Sequence, residues 1–441
     1  LVGSEMCIRD RTKMNLTKQF FKYVSQNILG MIGFSCYVLA DSYFISIAKG
    51  ADGLTALNLV MPLYSIIFSI GEMIGVGSAI RYAISKIKKD ADADDYFWNA
   101  LIWCILSSML FVFAGIFFSA DIMRVLGADE HIVAVGNNYT KIFMCFAPMF
   151  MCNYVTNAFV RNDGAPGIAM SATLFSSLFN IVFDYILMFP MNLGMEGAAL
   201  ATALSPIIGM GICSIHFFSK KSSVRLVVCK PSVRKLVAGS QLGVSAFVGE
   251  MSSAVITLAF NFVILKLAGN VGVAAYGVVA NIAIVTTAVF NGVAQGSQPL
   301  ISSCFGRGDK DGCTQLKRMG YTTAFVLAAV MYSILFIFAG QFVAVFNSEG
   351  SEMLRLYATE GVKLYFIGIF FAGINIVGGG AFSATEDAFK AAVVSVARGF
   401  VLILGAVFVM SALFGMTGVW LAYAVAEGIT TFIMLVMVLR V

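Results

Sequence analysis

Apolar runs of about twenty residues or more recur along nearly the whole chain, each long enough to cross about 30 Å of hydrocarbon at about 1.5 Å per residue. Twelve such spans fit, at approximately 20–48, 55–83, 97–118, 134–159, 166–190, 195–218, 235–266, 272–304, 317–340, 353–382, 389–414 and 418–440. Several exceed the length a bilayer needs, so tilted helices are expected. Of the 441 residues 59% are apolar and only 12% charged, whereas soluble domains run nearer 45–50% and about 25%. An all-α membrane protein is expected.

The connections alternate in charge. Those after even spans hold Lys86, Lys88 and Lys89, then Arg161, then Lys220, Lys221, Arg225, Lys230 and Arg234, then Arg307, Lys310, Lys317 and Arg318, then Lys390. Those after odd spans hold little beyond Lys49, Arg124, Lys266 and Arg355, while Lys13, Lys18 and Lys22 precede the first span. Because Lys and Arg stay on the cytoplasmic side, both termini are expected in the cytoplasm of a multi-pass plasma-membrane protein. The net charge of +5 follows from this topology and supports no nucleic-acid partner.

Nine cysteines show no CxxC or Cys/His ligand spacing, so they read as reduced core residues and no cofactor is expected. His131 in a loop and His216 near a helix end read as structural. Neither HExxH nor GxSxG occurs, so the chain is not expected to be an enzyme and no catalytic residue is assigned. Residues 1–13 resemble translated adapter sequence, with Met14 as the native start. Val441 follows the last span directly, which leaves open a longer cytoplasmic tail.

An internal repeat divides the chain. At an offset of 219, Gly50, Gly53, Ala56, Gly77 and Ser78 fall on Gly269, Gly272, Ala275, Gly296 and Ser297; at 221, Gly194, Met195 and Gly197 fall on Gly415, Met416 and Gly418. Six spans per half make the halves parallel copies about an axis along the membrane normal. The expectation is an N-terminal lobe over 14–218, a linker over 219–234 and a C-terminal lobe over 235–441. Two six-helix bundles facing each other across a central cleft suit alternating access.

The halves do not share their polar residues. The fifth span places Thr173, Ser177, Asn180 and Asp184 on one helical face. Tyr37 and Asp41 in the first span, Asn153 and Asn157 in the fourth, and Ala198 and Thr202 in the sixth repeat the four-residue spacing, so the four faces are expected to meet in one pocket. The repeat counterparts of Asp41, Asn180 and Asp184 are Phe260, Val401 and Gly405, so the acidic chemistry belongs to the first lobe. A carboxylate within a bilayer costs about 2.5–3.5 kcal/mol on insertion scales, and such groups mark ion or substrate paths. Two carboxylates with amide and hydroxyl oxygens suit Na⁺, and the same pair can exchange protons. Hydrogen bonding between helices is the structural alternative.

Glu250 in the seventh span either lines the second lobe's side of the cleft or pairs with Arg398 or Lys363. Glu72 and Glu427 read as structural pairs, and Arg81 and Arg161 as residues snorkelling at cytoplasmic ends. Gly71, Gly75, Gly77, Gly292 and Gly296 mark close helix contacts. Pro62, Pro148, Pro206 and Pro299 mark kinks.

Several segments resemble the multidrug and toxic compound extrusion (MATE) family: Asp41-Ser-Tyr-Phe-Ile, Gln298-Pro-Leu-Ile, Phe159 to Pro166, Asn180-Ile-Val-Phe-Asp184 and Gly194 to Thr202. The resemblance covers roughly residues 15–441. It implies two six-helix bundles and cation-driven export of amphipathic organic cations by a monomer embedded in membrane lipid. In one branch the coupling site uses a first-span Asp with a fifth-span Asn and Asp, which match Asp41, Asn180 and Asp184, with Thr202 beside them. The coupling ion is Na⁺ or H⁺, and Na⁺ would sit at these four residues. Tyr37, Asn153, Asn157, Ser177 and Glu250 are the candidates for substrate contact or for the surrounding network. Another branch places its acid where this chain has Ala254, one turn beyond Glu250, so no second coupling site is assigned. The alternative is a flippase for lipid-linked precursors within the same superfamily.

Overall fold

In lipid a backbone must satisfy its own hydrogen bonds, so each apolar run winds into a helix. The computed structural model describes residues 2–346 and 351–439. The first half holds α1 (Leu16–Gly50), α2 (Thr55–Lys88), α3 (Asp95–Val125), α4 (Glu130–Cys145 continued by Ala147–Asn162), α5 (Pro166–Met188) and α6 (Gly194–Phe217). The second holds α7 (233–268), α8 (270–306), α9 (Lys310–Ile337), α10 (Glu352–Ala384), α11 (388–414) and α12 (416–438). Helical hydrogen bonding runs on through the reversals at Gly269 and Gly415, and α4 is bent by 46°. Counted this way, the described residues cross the membrane twelve times, in two bundles, as the apolar runs predict. The bend in α4 sits where Pro148 opens the second segment, a position at which the missing N–H leaves no bond unmade.

The repeat is visible in the backbone itself. Gly50, Gly194, Gly269 and Gly415 turn the chain at φ 60°, 51°, 62° and 58°, a region open to glycine and costly for other residues. They form two of the repeat pairs found in the sequence. The opposite ends match as well: Lys89 (φ 60°) corresponds to Gly308 (φ 75°), and Gly164 (φ 86°) to Glu386 (φ 58°).

Each lobe has its own aromatic core. Tyr64 stacks on Phe143 in the first, with ring centroids 3.6 Å apart, and Tyr276 packs between Phe260 and Trp420 in the second. The lobes meet through glycine. Gly77 of α2 lies against Gly239 and Gly243 of α7, and Gly292 and Gly296 of α8 lie against Ile28 and Val24 of α1. At the same end Glu386 pairs with Arg81 and, at 3.5 Å, with Lys88. These contacts gather at the end that carries the basic connections.

The connection between the lobes is tied to the first one. Asp163 accepts from His216 Nε2 at 2.8 Å and from the Ser223 backbone N–H at 2.9 Å, and also from the hydroxyls of Tyr82, Ser222 and Ser223. Asn99 Oδ1 accepts from the Ser232 N–H at 2.6 Å. Lys235 in the first turn of α7 reaches Asp92 and Asp95. His216 is thus a structural residue, held in a buried pair.

Candidate functional site

Close packing of α5 on α6 builds the first part of the site. Gly197 lets α6 approach until an added Cβ would lie 2.8 Å from the Leu187 carbonyl carbon. One turn further along α6, Thr202 stands against Asn180. In the orientation that satisfies both neighbours, the Asn180 amide donates to Asp184 Oδ2 at 3.1 Å, and its oxygen accepts from the Thr202 backbone N–H at 3.3 Å and from Oγ1 at 3.2 Å. Asp41 arrives from α1, within electrostatic reach of Asp184. Exposure is 6% for Asp41, 0% for Asn180 and Asp184, and 1% for Thr202, so none of the four faces lipid.

Hydrogen bonding leaves this cluster incomplete. Asp41 Oδ1 and Asp184 Oδ1 are buried with no partner. An unpaired buried carboxylate is expensive and invites a proton or a cation. Among the described residues no three His, Cys, Asp or Glu side chains converge on a metal position. What the cluster offers is two carboxylates, an amide and a hydroxyl, an all-oxygen set that fits Na⁺ or a proton better than a transition metal.

A separate cavity of about 250 Å³ lies between the lobes. Tyr37, Asn153, Asn157 and Ser177 line it from the first lobe, and Glu250 from the second; Asp41, Asn180, Asp184 and Thr202 do not. The polar faces expected to meet in one pocket are therefore divided between a cavity and a buried cluster beyond its wall. The division runs along the axis of α5: Thr173 and Ser177 line the cavity, while Asn180 and Asp184, one and two turns on along the same face, lie beyond it, with Asn180 against Thr202 of α6. Tyr37, which precedes Asp41 by one turn, forms part of the cavity wall. Asn157 donates to Thr173 Oγ1 and to the Ala169 carbonyl, both at 3.2 Å, which braces α4 on α5.

One reading of a charged residue changes, and one of two alternatives falls away. Arg161 does not snorkel: it is 4% exposed, lines the cavity and donates to Gln295 Oε1 of the second lobe at 2.7 Å. The bend of α4 turns its last helical stretch inward. Glu250 pairs with neither Arg398 nor Lys363. Arg398 is held at 2.7 Å by Glu427, because α12 packs on the π-helical turn Ala397–Val401 of α11, and Lys363 lies over the Phe336 ring at 5.2 Å. Glu427, as expected, is a structural partner, and it also accepts from Asn375 Nδ2 at 2.7 Å. Gln295 and Gln298, an i, i+3 pair facing the cavity from α8, were missed by sequence reasoning. Two amides one turn apart in an apolar run were the available signal.

A family model described as MatE matches residues 27–186 and 246–409. The multidrug export protein MepA of Staphylococcus saprophyticus is 26% identical over 424 residues, covering 95% of this chain and 92% of its own length. MepA of Staphylococcus aureus is 27% identical over 405 residues, covering 89% and 87%. A solved structure described as the outward-facing conformation of a multidrug resistance MATE family transporter of the MOP superfamily superimposes with a TM-score of 0.90 at 20% identity, over 96% of each chain.

Proposed function

The chain belongs to the MatE family, and we propose that it is a secondary active antiporter that exports amphipathic organic cations, driven by inward Na⁺ or H⁺. The observation that carries this reading is the buried cluster beside the cleft, where Asp41 and Asp184 each keep a carboxylate oxygen without a partner. Two acids buried this deeply have a cost that a bound driving ion would offset. The relatives, named for multidrug export, support the direction of transport and drug-like cargo, and the basic connections support cytoplasmic termini in the plasma membrane.

The cavity and the buried acidic cluster beside it suggest the cycle. An ion entering the cluster neutralises Asp41 and Asp184 and changes how α1 packs. Tyr37, one turn away on the same helix, carries that change to the cavity wall and biases the lobes or displaces bound cargo. The lipid-linked precursor flippase is less well supported: a pyrophosphate needs several free cations, and of the two arginines lining the cavity Arg398 is taken by Glu427, which leaves Arg161 facing the carboxylates of Glu72 and Glu250.

The test is dye efflux from proteoliposomes with Na⁺ and proton gradients imposed separately. Asp184→Asn is expected to insert normally and to lose ion-coupled efflux. Unchanged coupled efflux from that variant refutes the mechanism.

A further inference from the structure

The cavity between the lobes is lined by Arg161 and Arg398, whose contacts are to Gln295 and Glu427, and by several acceptors that have no donor. Glu72 of α2 and Glu250 of α7 both line it, from opposite lobes and within electrostatic reach of each other. Among the described residues Glu250 forms no ion pair. Glu72 has no direct cation either: Gln295 stands between it and Arg161, donating to Glu72 Oε1 at 3.4 Å while accepting from Arg161 at 2.7 Å. One turn after Gln295, Gln298 lines the same cavity; it is 5% exposed, and its Oε1 has no partner. Asn153 Oδ1 on the facing wall is likewise buried and unpartnered. A buried acceptor left without a donor costs about 1–3 kcal/mol, so the arrangement calls for a ligand rich in N–H groups.

Resting on the export reading above, we infer that Glu72 and Glu250 take the substrate's cationic group between the lobes, and that Gln298 selects cations bearing N–H donors, such as protonated amines and amidinium groups, over quaternary cations that have none. Arg161 and Gln295 are positioning residues: they hold Glu72 toward the cavity without neutralising it by contact. Because the two glutamates belong to different lobes, a cation shared between them resists separation of the lobes. Cargo recognition and the conformational cycle thereby meet at one place.

The experiment is equilibrium binding to the purified full-length chain in nanodiscs, with no ion gradient, using a fluorescent amidinium dye and tetraphenylphosphonium. Gln298→Leu is expected to weaken amidinium binding about tenfold, the size of one charge-assisted hydrogen bond, and to leave tetraphenylphosphonium within about twofold. Glu72→Gln is expected to weaken both, and Glu72→Asp to recover most of the loss. Equal losses for the two probes in Gln298→Leu, or undiminished binding in Glu72→Gln, overturn the inference. If Glu72→Gln does not fold, Gln298→Glu decides: it adds an acceptor and a charge and must tighten amidinium binding. A wild-type chain that binds neither probe overturns the export reading as well, whereas wild-type binding with unaffected variants overturns this inference alone.

Discussion

A methyl group on Gly77 would stand 2.0 Å from the carbonyl oxygen of Gly239, a separation no pair of atoms tolerates. The same is true in reverse, since a Cβ on Gly243 would come within 2.0 Å of the Met73 carbonyl oxygen. Helices α2 and α7 therefore touch backbone to backbone, a contact that ties the two lobes together toward the basic end.

Gly77→Ala should prise that contact open. The variant is expected to shift the protein toward the state open at the basic end. The measurement is thiol labelling of Ser245→Cys in a cysteine-depleted background, with reagent supplied from that side. Labelling is expected to be faster than in the parent, and an unchanged rate would show that the glycine contact does not hold the lobes together.

Glu427→Gln addresses a buried pair whose role is stability. Glu427 receives Arg398 at 2.7 Å and Asn375 at 2.7 Å, with only 3% of its side chain exposed. Removing one partner leaves the other charge uncompensated, at a cost of about 3–5 kcal/mol. A lower midpoint of thermal unfolding in detergent is expected, with ion coupling retained in whatever protein stays folded.

Gly269→Ala isolates a backbone effect. A Cβ there would meet nothing within 4 Å, yet φ is 62°. The expected loss is about 1–3 kcal/mol, from conformation alone. Gly249→Ala is the control, because that glycine also has nothing within 4 Å and lies inside regular helix. The two melting curves should separate clearly.

His131 reports on the opposite end of the first lobe. Its Nε2 lies 2.9 Å from Asp52 Oδ2, and this hydrogen bond raises the imidazole pKa above its ordinary range. A raised value in the folded state means that the contact stabilises while the ring is protonated and fades as pH climbs through the folded pKa. An NMR titration should place the midpoint above that of a free imidazole, and Asp52→Asn should bring it back down.

How much of this could be read from residues alone depended on the kind of signal. Gly50 and Gly194 were visible as repeat positions because Gly269 and Gly415 match them, whereas the left-handed turn that each makes shows only in the backbone. The four-residue spacing of Asn180 and Asp184 showed which side chains share a face. It could not show how far along α5 the cavity reaches, and that depth leaves Ser177 on its wall and Asn180 and Asp184 beyond it. Arg161 was misread because its place near a helix end was visible while the bend at Pro148, which swings it inward, was known only as a possible kink. The partners of Gln295 lie in a different lobe, and such pairings leave no local trace in the chain.

The strap that follows α6 has a mechanical consequence. Asp163 grips it near its start, Asn99 grips it near its finish, and Lys235 anchors the residues just past it. Any rocking of one half-molecule against the other therefore cannot be absorbed by slack in this strap. It travels as cargo of the first half, and the bending falls on the opening turn of α7, within a few residues of the place where two glycine backbones touch. Loosening the grip at Asp163 would lengthen the lever and soften the pivot without altering a single residue that meets ion or substrate.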